Sequence, residues 1–193
     1  MTDTQIETLT GDYAIDGTRT RLGFVARHAM VTKVHGHFTE FEGRAHLDLM
    51  EPWRSWASVS IEAASIVTGI EQRDAHLRSG DFLDVPHHPR ITFQSTEVTR
   101  INTNTLRVTG DLTMRGVSKP LTLDFTQSTA ETDPSGNVSL TFLGSATIDR
   151  LDWGVAWNAL IESGKLLVSE KVVLDLMVCV VRTAAAPYRS SSA

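Results

Sequence analysis

Alternation of apolar and polar residues is the dominant pattern along this chain. In LTLDFTQ, Leu121, Leu123 and Phe125 alternate with polar residues. A β-strand with one buried face and one solvated face has this period, because successive side chains point to opposite faces of a sheet. The same period recurs in three other segments, 21–30, 106–114 and 140–148. The pattern predicts a protein built mainly from long strands.

Four further segments complete the predicted set of about eight strands: 35–49, 57–67, 90–100 and 171–181. Eight antiparallel strands that each present one apolar face can stack as a sandwich or close into a barrel, and closure removes the exposed sheet edges. We therefore predict an all-β, antiparallel, eight-stranded barrel. Glycines within the strands fit this choice because a barrel wall needs bends; they are Gly23, Gly43, Gly110 and Gly144.

The segment IEQRDAHLRSGDFLDVPHHP interrupts the strands near the middle of the chain. Its spacing predicts one short helix over about 71–80, with Gly80 as the C-cap. The helix contains few apolar residues, so it is not a core helix. Its charges are expected to face solvent, to cap one end of the barrel or to meet the polar part of a ligand.

The length of 193 residues favours a single domain. We assign that domain to residues 11–182. Residues 1–10 and 183–193 are small, polar or proline-bearing and lack an apolar period, so the sequence predicts flexible tails at both ends.

Charge and composition exclude several classes of function. The chain has 18 Lys and Arg against 23 Asp and Glu, a net charge of −5 that disfavours nucleic acid as a partner. Cys179 lies in an apolar run and is expected to be a small buried hydrophobic residue. The first residues lack the basic start and apolar stretch of a signal peptide, and about 18 consecutive apolar residues occur nowhere, so we expect a cytoplasmic protein.

Motifs for catalysis or cofactor binding are absent from the sequence. It contains no Gly-x-Ser-x-Gly elbow, no Walker motif and no dinucleotide fingerprint, and we predict no cofactor. One alternative stays open: His35 and His37 share a face of a strand and could join His87 or His88 in a metal site. That arrangement would suit a metal-dependent enzyme.

Five separated blocks carry a resemblance to a known family. They are GFVARHAMV, EQRDAHLRS with DFLDV, GDLTMRGVSKP, DWGVAWN and LLVSEKV, in this order. Together they resemble the YceI family, the lipocalin-like polyisoprenoid-binding proteins, from about Tyr13 to Val181.

The resemblance implies a barrel with a long hydrophobic channel for an isoprenoid chain and with the helix near the channel entrance. The implied function is non-enzymatic binding of a polyisoprenoid or an isoprenoid quinone, for transport, storage or sequestration. Inward apolar residues, helix residues and the first and fourth blocks supply the candidate ligand-binding residues. These are Phe24, His28, Arg73, Asp74, His76, Leu112, Met114, Leu123, Phe125, Phe142, Trp153, Trp157 and Asn158.

Some of these assignments have alternatives. His28 is either a pocket residue or a hydrogen-bonded core imidazole, and Trp153 and Trp157 either reach the pocket or only pack. Trp153 stands where the family usually has Phe, so we expect it to alter the length of the channel. A third possibility for the whole protein is an interaction module with a solid, side-chain-filled barrel.

Two apolar surfaces predict further contacts. Trp53 and Trp56 lie in a predicted loop and could touch a membrane surface or a second copy of the chain. Val173 and Met177 are predicted to face outward from the barrel, where they could form a homodimer contact.

Overall fold

The computed structural model describes residues 9–28, 32–134, 136–158 and 168–182. The described residues form eleven strands and one α-helix, α1 (Glu71–Arg78). The strands are β1 (Gly11–Ile15), β2 (Arg21–His28), β3 (Thr32–Phe38), β4 (Phe41–Leu47), β5 (Trp56–Glu62), β6 (Ile66–Val67), β7 (Arg90–Asn102), β8 (Thr105–Met114), β9 (Val117–Thr132), β10 (Val138–Asp149) and β11 (Lys171–Arg182). Short 3-10 turns occupy Pro52–Arg54, Ala63–Ser65 and Arg150–Trp153.

Eight of the described strands close into an antiparallel barrel, which confirms the predicted fold class. The ring runs β1-β4-β5-β7-β8-β9-β10-β11, and β1 closes it by pairing with β11. The β2 strand pairs with an earlier part of β11, β3 pairs with β2, and β6 pairs with β3. Strands β1 and β2 thus lie beside different halves of the same long strand.

The boundaries of several predicted strands are corrected by the structure. Segment 35–49 divides into β3 and β4, and segment 57–67 divides into β5 and β6, because the chain turns a corner at both breaks. Ser65 connects the two breaks. Its hydroxyl accepts the N–H groups of Thr39 (3.2 Å) and Glu40 (3.1 Å) at the first break and donates to the carbonyl of Glu62 (2.7 Å) at the second. The prediction also missed β1, which has only five residues.

The predicted helix is present but shorter. It ends at Arg78, and Ser79 rather than Gly80 is the C-cap, with extended backbone and its N–H donated to the carbonyl of His76. The Ser79 hydroxyl also bonds this carbonyl at 2.8 Å. A serine that satisfies the last turn in this way makes a left-handed glycine unnecessary.

The two ends of the barrel differ in character. At one end, which we call the helix end, lie α1, the β8–β9 turn and the segment after β10. Arg115 in that turn donates to the carbonyls of Gly80 (2.9 Å) and Phe82 (2.6 Å) and so ties the turn to the segment after α1. At the opposite end, the far end, lie the β4–β5, β7–β8 and β9–β10 connections.

The core has two parts. The far-end cluster surrounds Tyr13 and Leu140, both fully buried, and the helix-end cluster surrounds Ala63 and Ile148. Phe93 and Phe125 pack against both clusters. Cys179 is buried, as its apolar context predicts.

The predicted tails lie largely outside the described residues. This holds for 1–8 and for 183–193. Leu9, which the sequence places in the N-terminal tail, is buried, and its carbonyl accepts the Tyr13 hydroxyl at 2.7 Å. None of the described helices is long and apolar enough to cross a lipid bilayer.

Candidate functional site

An apolar cavity of about 310 Å³ lies inside the barrel. Its wall includes residues from both core clusters, from Val180 near the far end to Val155 and Val168 near the helix end. Binding sites for small molecules commonly have volumes of about 300–1,000 Å³. The barrel is therefore not filled by its own side chains, contrary to the solid-core alternative.

Six of the sequence-predicted residues line this cavity: Phe24, Leu112, Met114, Leu123, Phe125 and Phe142. They come from four strands, and in each case the alternation of the strand directs the side chain inward. The cavity wall also includes apolar residues of β4, β5 and β11 that the prediction did not single out, although they follow the same alternation.

Two phenylalanine rings of the cavity wall each occupy the space beside a glycine on a neighbouring strand. Phe125 is paired with Gly144, and Phe24 with Gly36. A Cβ atom at Gly144 would lie only 2.5 Å from Cε1 of Phe125, and one at Gly36 only 2.3 Å from Cζ of Phe24. These glycines leave room for the rings, which a side chain at either position would displace.

Gly144→Ala is expected to push the Phe125 ring into the cavity and to lower the affinity for an apolar ligand. Overpacking of this kind typically costs about 1–3 kcal/mol of stability. The change is measured by lipid-binding titration together with urea denaturation. Gly17→Ala is the matched control, because a Cβ there meets nothing within 4 Å. Unchanged ligand affinity in Gly144→Ala would show that the position of the ring does not limit the cavity.

Arg150 is the buried charge of the cavity wall, and the prediction did not include it among the site residues. It follows β10 directly and is only 4% exposed. Arg44 also borders the cavity, but its side chain is exposed and it alternates with the buried Ala45. Among the described residues, the lining contains no acidic residue.

The Arg150 guanidinium is held by backbone carbonyls. Nε donates to Ser169 (3.0 Å) and Nη1 to Val155 and to Trp157 (3.0 Å), while Nη2 donates to Val168 (3.4 Å). Burial lowers the pKa of Arg150, although nearby acidic residues partly oppose this effect. The planar guanidinium with these bonds, which we call the Arg150 fork, joins the segment after β10 to the segment before β11. Arg150 lies between Asp149 and Leu151, and no pattern in these neighbours signals that its side chain is buried.

Two predicted residues of α1 interact with Thr68. Asp74 is buried, and its Oδ1 accepts the N–H of Thr68 (2.9 Å) and the Thr68 hydroxyl. Arg73 donates to the hydroxyl (2.7 Å) and the carbonyl (2.8 Å) of the same residue. Neither Arg73 nor Asp74 lines the cavity. Their contacts anchor α1 to the residue directly after β6.

His76 belongs to a cluster of rings at the helix end. Its ring lies edge-on to Trp157 at 4.6 Å and to Phe82 at 5.0 Å between centroids. His76 also bonds Asp81 (2.8 Å). The cluster connects α1 to the segment after β10. His76 and Trp157 contact Phe82, which lines the cavity, but do not reach the cavity themselves.

The remaining predicted residues lie at the same end. Trp153 is buried and donates its indole N–H to the carbonyl of Leu112 (2.9 Å), but it does not line the cavity. Asn158 bonds the backbone of Val168 with both side-chain atoms, at 2.7 and 3.0 Å. The side chain of His28 is outside the described part of the structure.

The histidines of the metal alternative do not form a metal site in the described residues. No group of three His, Cys, Asp or Glu side chains there could hold a metal ion. His87 instead bonds Asp84 (2.8 Å), and this contact contributes most to the lowered pKa of the Asp84 carboxyl. The geometry gives the metal-dependent enzyme no support.

A closed antiparallel barrel with an apolar cavity inside it defines a class of proteins that bind hydrophobic ligands. Within that class, the chain belongs to the YceI family: the family model described as "YceI-like domain" matches residues 13–179. The chain is 36% identical to a UPF0312 protein of Pseudomonas aeruginosa over 151 residues, which cover 77% of this chain and 78% of the relative. A UPF0312 protein of Pseudomonas syringae pv. tomato is 34% identical over 77% of this chain and 79% of its own length.

Solved structures agree on the fold. BcnA of Burkholderia cenocepacia has a TM-score of 0.75 at 21% identity, over 86% of this chain and 98% of its own. A polyisoprenoid binding domain from Saccharophagus degradans has a TM-score of 0.65 at 16% identity, over 89% of this chain and 98% of its own.

Proposed function

We propose that this protein binds a polyisoprenoid or an isoprenoid-quinone lipid in its barrel, without catalysis, as a carrier, store or sequestering protein. The observation that carries the proposal is the apolar cavity, whose described lining includes no acidic residue and a single buried charge. Membership of the YceI family and the polyisoprenoid binding domain of Saccharophagus degradans support the class of ligand.

The physical chemistry of the wall favours a slender hydrocarbon. Each methylene group that leaves water for an apolar site contributes about 0.8 kcal/mol. A prenyl chain of several isoprene units therefore gains enough free energy from the cavity alone to bind without a reactive group. A polar ligand would leave its hydrogen-bonding groups unsatisfied against such a wall.

The polar part of the ligand is expected at the helix end. Arg150 is the residue best placed to meet an oxygen atom of the ligand, because it borders the cavity there. Roles for Arg73, Asp74, His76, Trp157 and Asn158 at a head group stay predictions. Their contacts suit an indirect role, in which they position Phe82, Val168 and the neighbouring segments that border the cavity.

Mass spectrometry of an organic extract of the freshly purified protein tests the proposal. We expect a co-purified prenyl lipid at close to one molecule per barrel, and uptake of an added prenol by protein that has been stripped of lipid. Elemental analysis of the same preparation tests the metal alternative. Protein that neither retains nor takes up any prenyl lipid would refute the proposed function, and stoichiometric zinc or iron would favour an enzyme.

Surface contacts remain predictions. Trp53 is 69% exposed in the β4–β5 connection. Trp56 begins β5 instead of lying in the predicted loop, but it is also exposed, as a contact with a membrane or a second copy would require. Val173 and Met177 are exposed on the outer face of β11, where a homodimer contact is predicted.

A further inference from the structure

The cavity comes close to the protein surface at the far end of the barrel. A second, much smaller pocket of about 10 Å³ lies there. Two side chains, Leu106 and Phe142, line both this pocket and the main cavity. Both are buried and stand between the two spaces. We call this pair the floor of the cavity.

The two sides of the floor differ in polarity. The main cavity is apolar at this point, with Val108 and Val180 nearby in its wall. The small pocket has room for about one water molecule. Leu49 borders it together with polar residues of two strands and a turn: Arg100, Thr103, Asn104 and Gln127. A hydrocarbon that passed the floor would therefore meet polar groups beside Leu49 instead of a wholly apolar wall.

The pairing of β9 with β10 is irregular beside the floor. Strands β9 and β10 shift register between Thr141 and Phe142, so that Phe142 is opposite Gln127 rather than Ser128. A bulge of this kind re-aims the side chains beside it. Gln127 is the next inward-facing residue of β9 after Phe125. It does not line the main cavity, but it borders the small pocket together with Phe142.

We propose that Leu106 and Phe142 set the maximum length of the prenyl chain that the barrel accepts. This inference rests on the proposed function. The end of the chain abuts the floor, and a chain that is one isoprene unit too long must leave apolar groups in water at the helix end. The barrel thus selects ligands by chain length.

The test is a series of all-trans prenols that lengthen by one isoprene unit, from geraniol through farnesol and geranylgeraniol upward, titrated against the stripped wild-type protein. We expect affinity to rise with length and then to level off or fall. In Leu106→Ala, the limit is expected to move to a longer prenol, with about tenfold tighter binding of the first chain beyond the wild-type limit.

Leu112→Ala is the matched control, because Leu112 lies on the same strand, is buried and lines only the main cavity. It should change affinity without moving the length limit. Phe142→Leu is the second floor variant, in case Leu106→Ala fails to fold. An equal shift in Leu106→Ala and Leu112→Ala, or a folded floor variant with the wild-type limit, overturns the inference. Failure of the wild-type protein to bind any prenol refutes the proposed function itself.

Discussion

Replacement of Arg150 by methionine is expected to lower the free energy of unfolding by about 3 kcal/mol. The change leaves three backbone carbonyls without their donor, those of Val155, Trp157 and Ser169, whereas the Val168 carbonyl keeps its bond from the Asn158 side-chain amide. Each buried carbonyl without a partner costs about 1–3 kcal/mol, and removal of the buried charge offsets part of this cost. Urea denaturation of the purified protein measures the loss.

Two further variants test whether the loss of stability in Arg150→Met comes from the planar geometry of the guanidinium. Arg150→Lys keeps the charge but cannot reproduce the planar fork, so it should recover only part of the stability. Arg107→Met removes an exposed arginine that is paired with Asp124 and should cost about 1 kcal/mol or less. Equal losses in Arg150→Met and Arg107→Met would mean that the buried carbonyl contacts do not stabilise the fold.

The same variant also bears on ligand binding. If Arg150 meets the polar part of the ligand, folded Arg150→Met should lose affinity for an oxygen-bearing prenyl lipid more than for a plain hydrocarbon of the same length. A parallel loss for both ligands would assign Arg150 a purely structural role at the helix end.

Phe125→Asp is expected to abolish lipid retention and to destabilise the barrel by about 3–5 kcal/mol, because it places an unpaired carboxylate against the cavity. Phe125 packs against both core clusters, so no polar partner is available in its immediate surroundings. Lipid content after purification and thermal unfolding measure the two effects. Phe142→Asp is expected to lose its lipid as well.

Thr126→Asp is the matched control for this change. Thr126 is the next residue of β9 and is exposed, so the same carboxylate faces solvent there. It should retain lipid and nearly all of its stability. If Phe125→Asp still retains its lipid, the ligand does not occupy the part of the cavity that Phe125 lines.

Strand periodicity made the cavity wall predictable. Once Leu123 is assigned to the inward face, Phe125 must follow it, because the period of a strand is two. This local rule needs no knowledge of the partner strand. The role of Gly144 could not be obtained in the same way. A glycine in a strand can allow a bend in the barrel, or it can leave room for a neighbouring aromatic ring. Only the pairing of Gly144 with Phe125 shows that the second explanation applies here.

Arg73 and Asp74 show that a charged residue in the sequence does not by itself indicate contact with a ligand. Their place in a polar helix suggests contact with a ligand, whereas the fold directs both side chains to Thr68, five and six residues earlier respectively. Arg150 is the converse case. Nothing in its neighbours along the chain indicates that a guanidinium there would be buried, because the carbonyls that hold it belong to segments that meet only after β10 and β11 have paired.

The sequence by itself determined the strand character of the chain, the fold class and the family, because each of these depends on local periods and on blocks of neighbouring residues. Only the tertiary structure decided where the barrel closes, through the pairing of Tyr13 with Arg182, and which side chains meet across the cavity. The floor formed by Leu106 and Phe142 and the fork of Arg150 belong to this second group. Contacts between residues distant in the chain depend on register and closure, and no local pattern encodes either one.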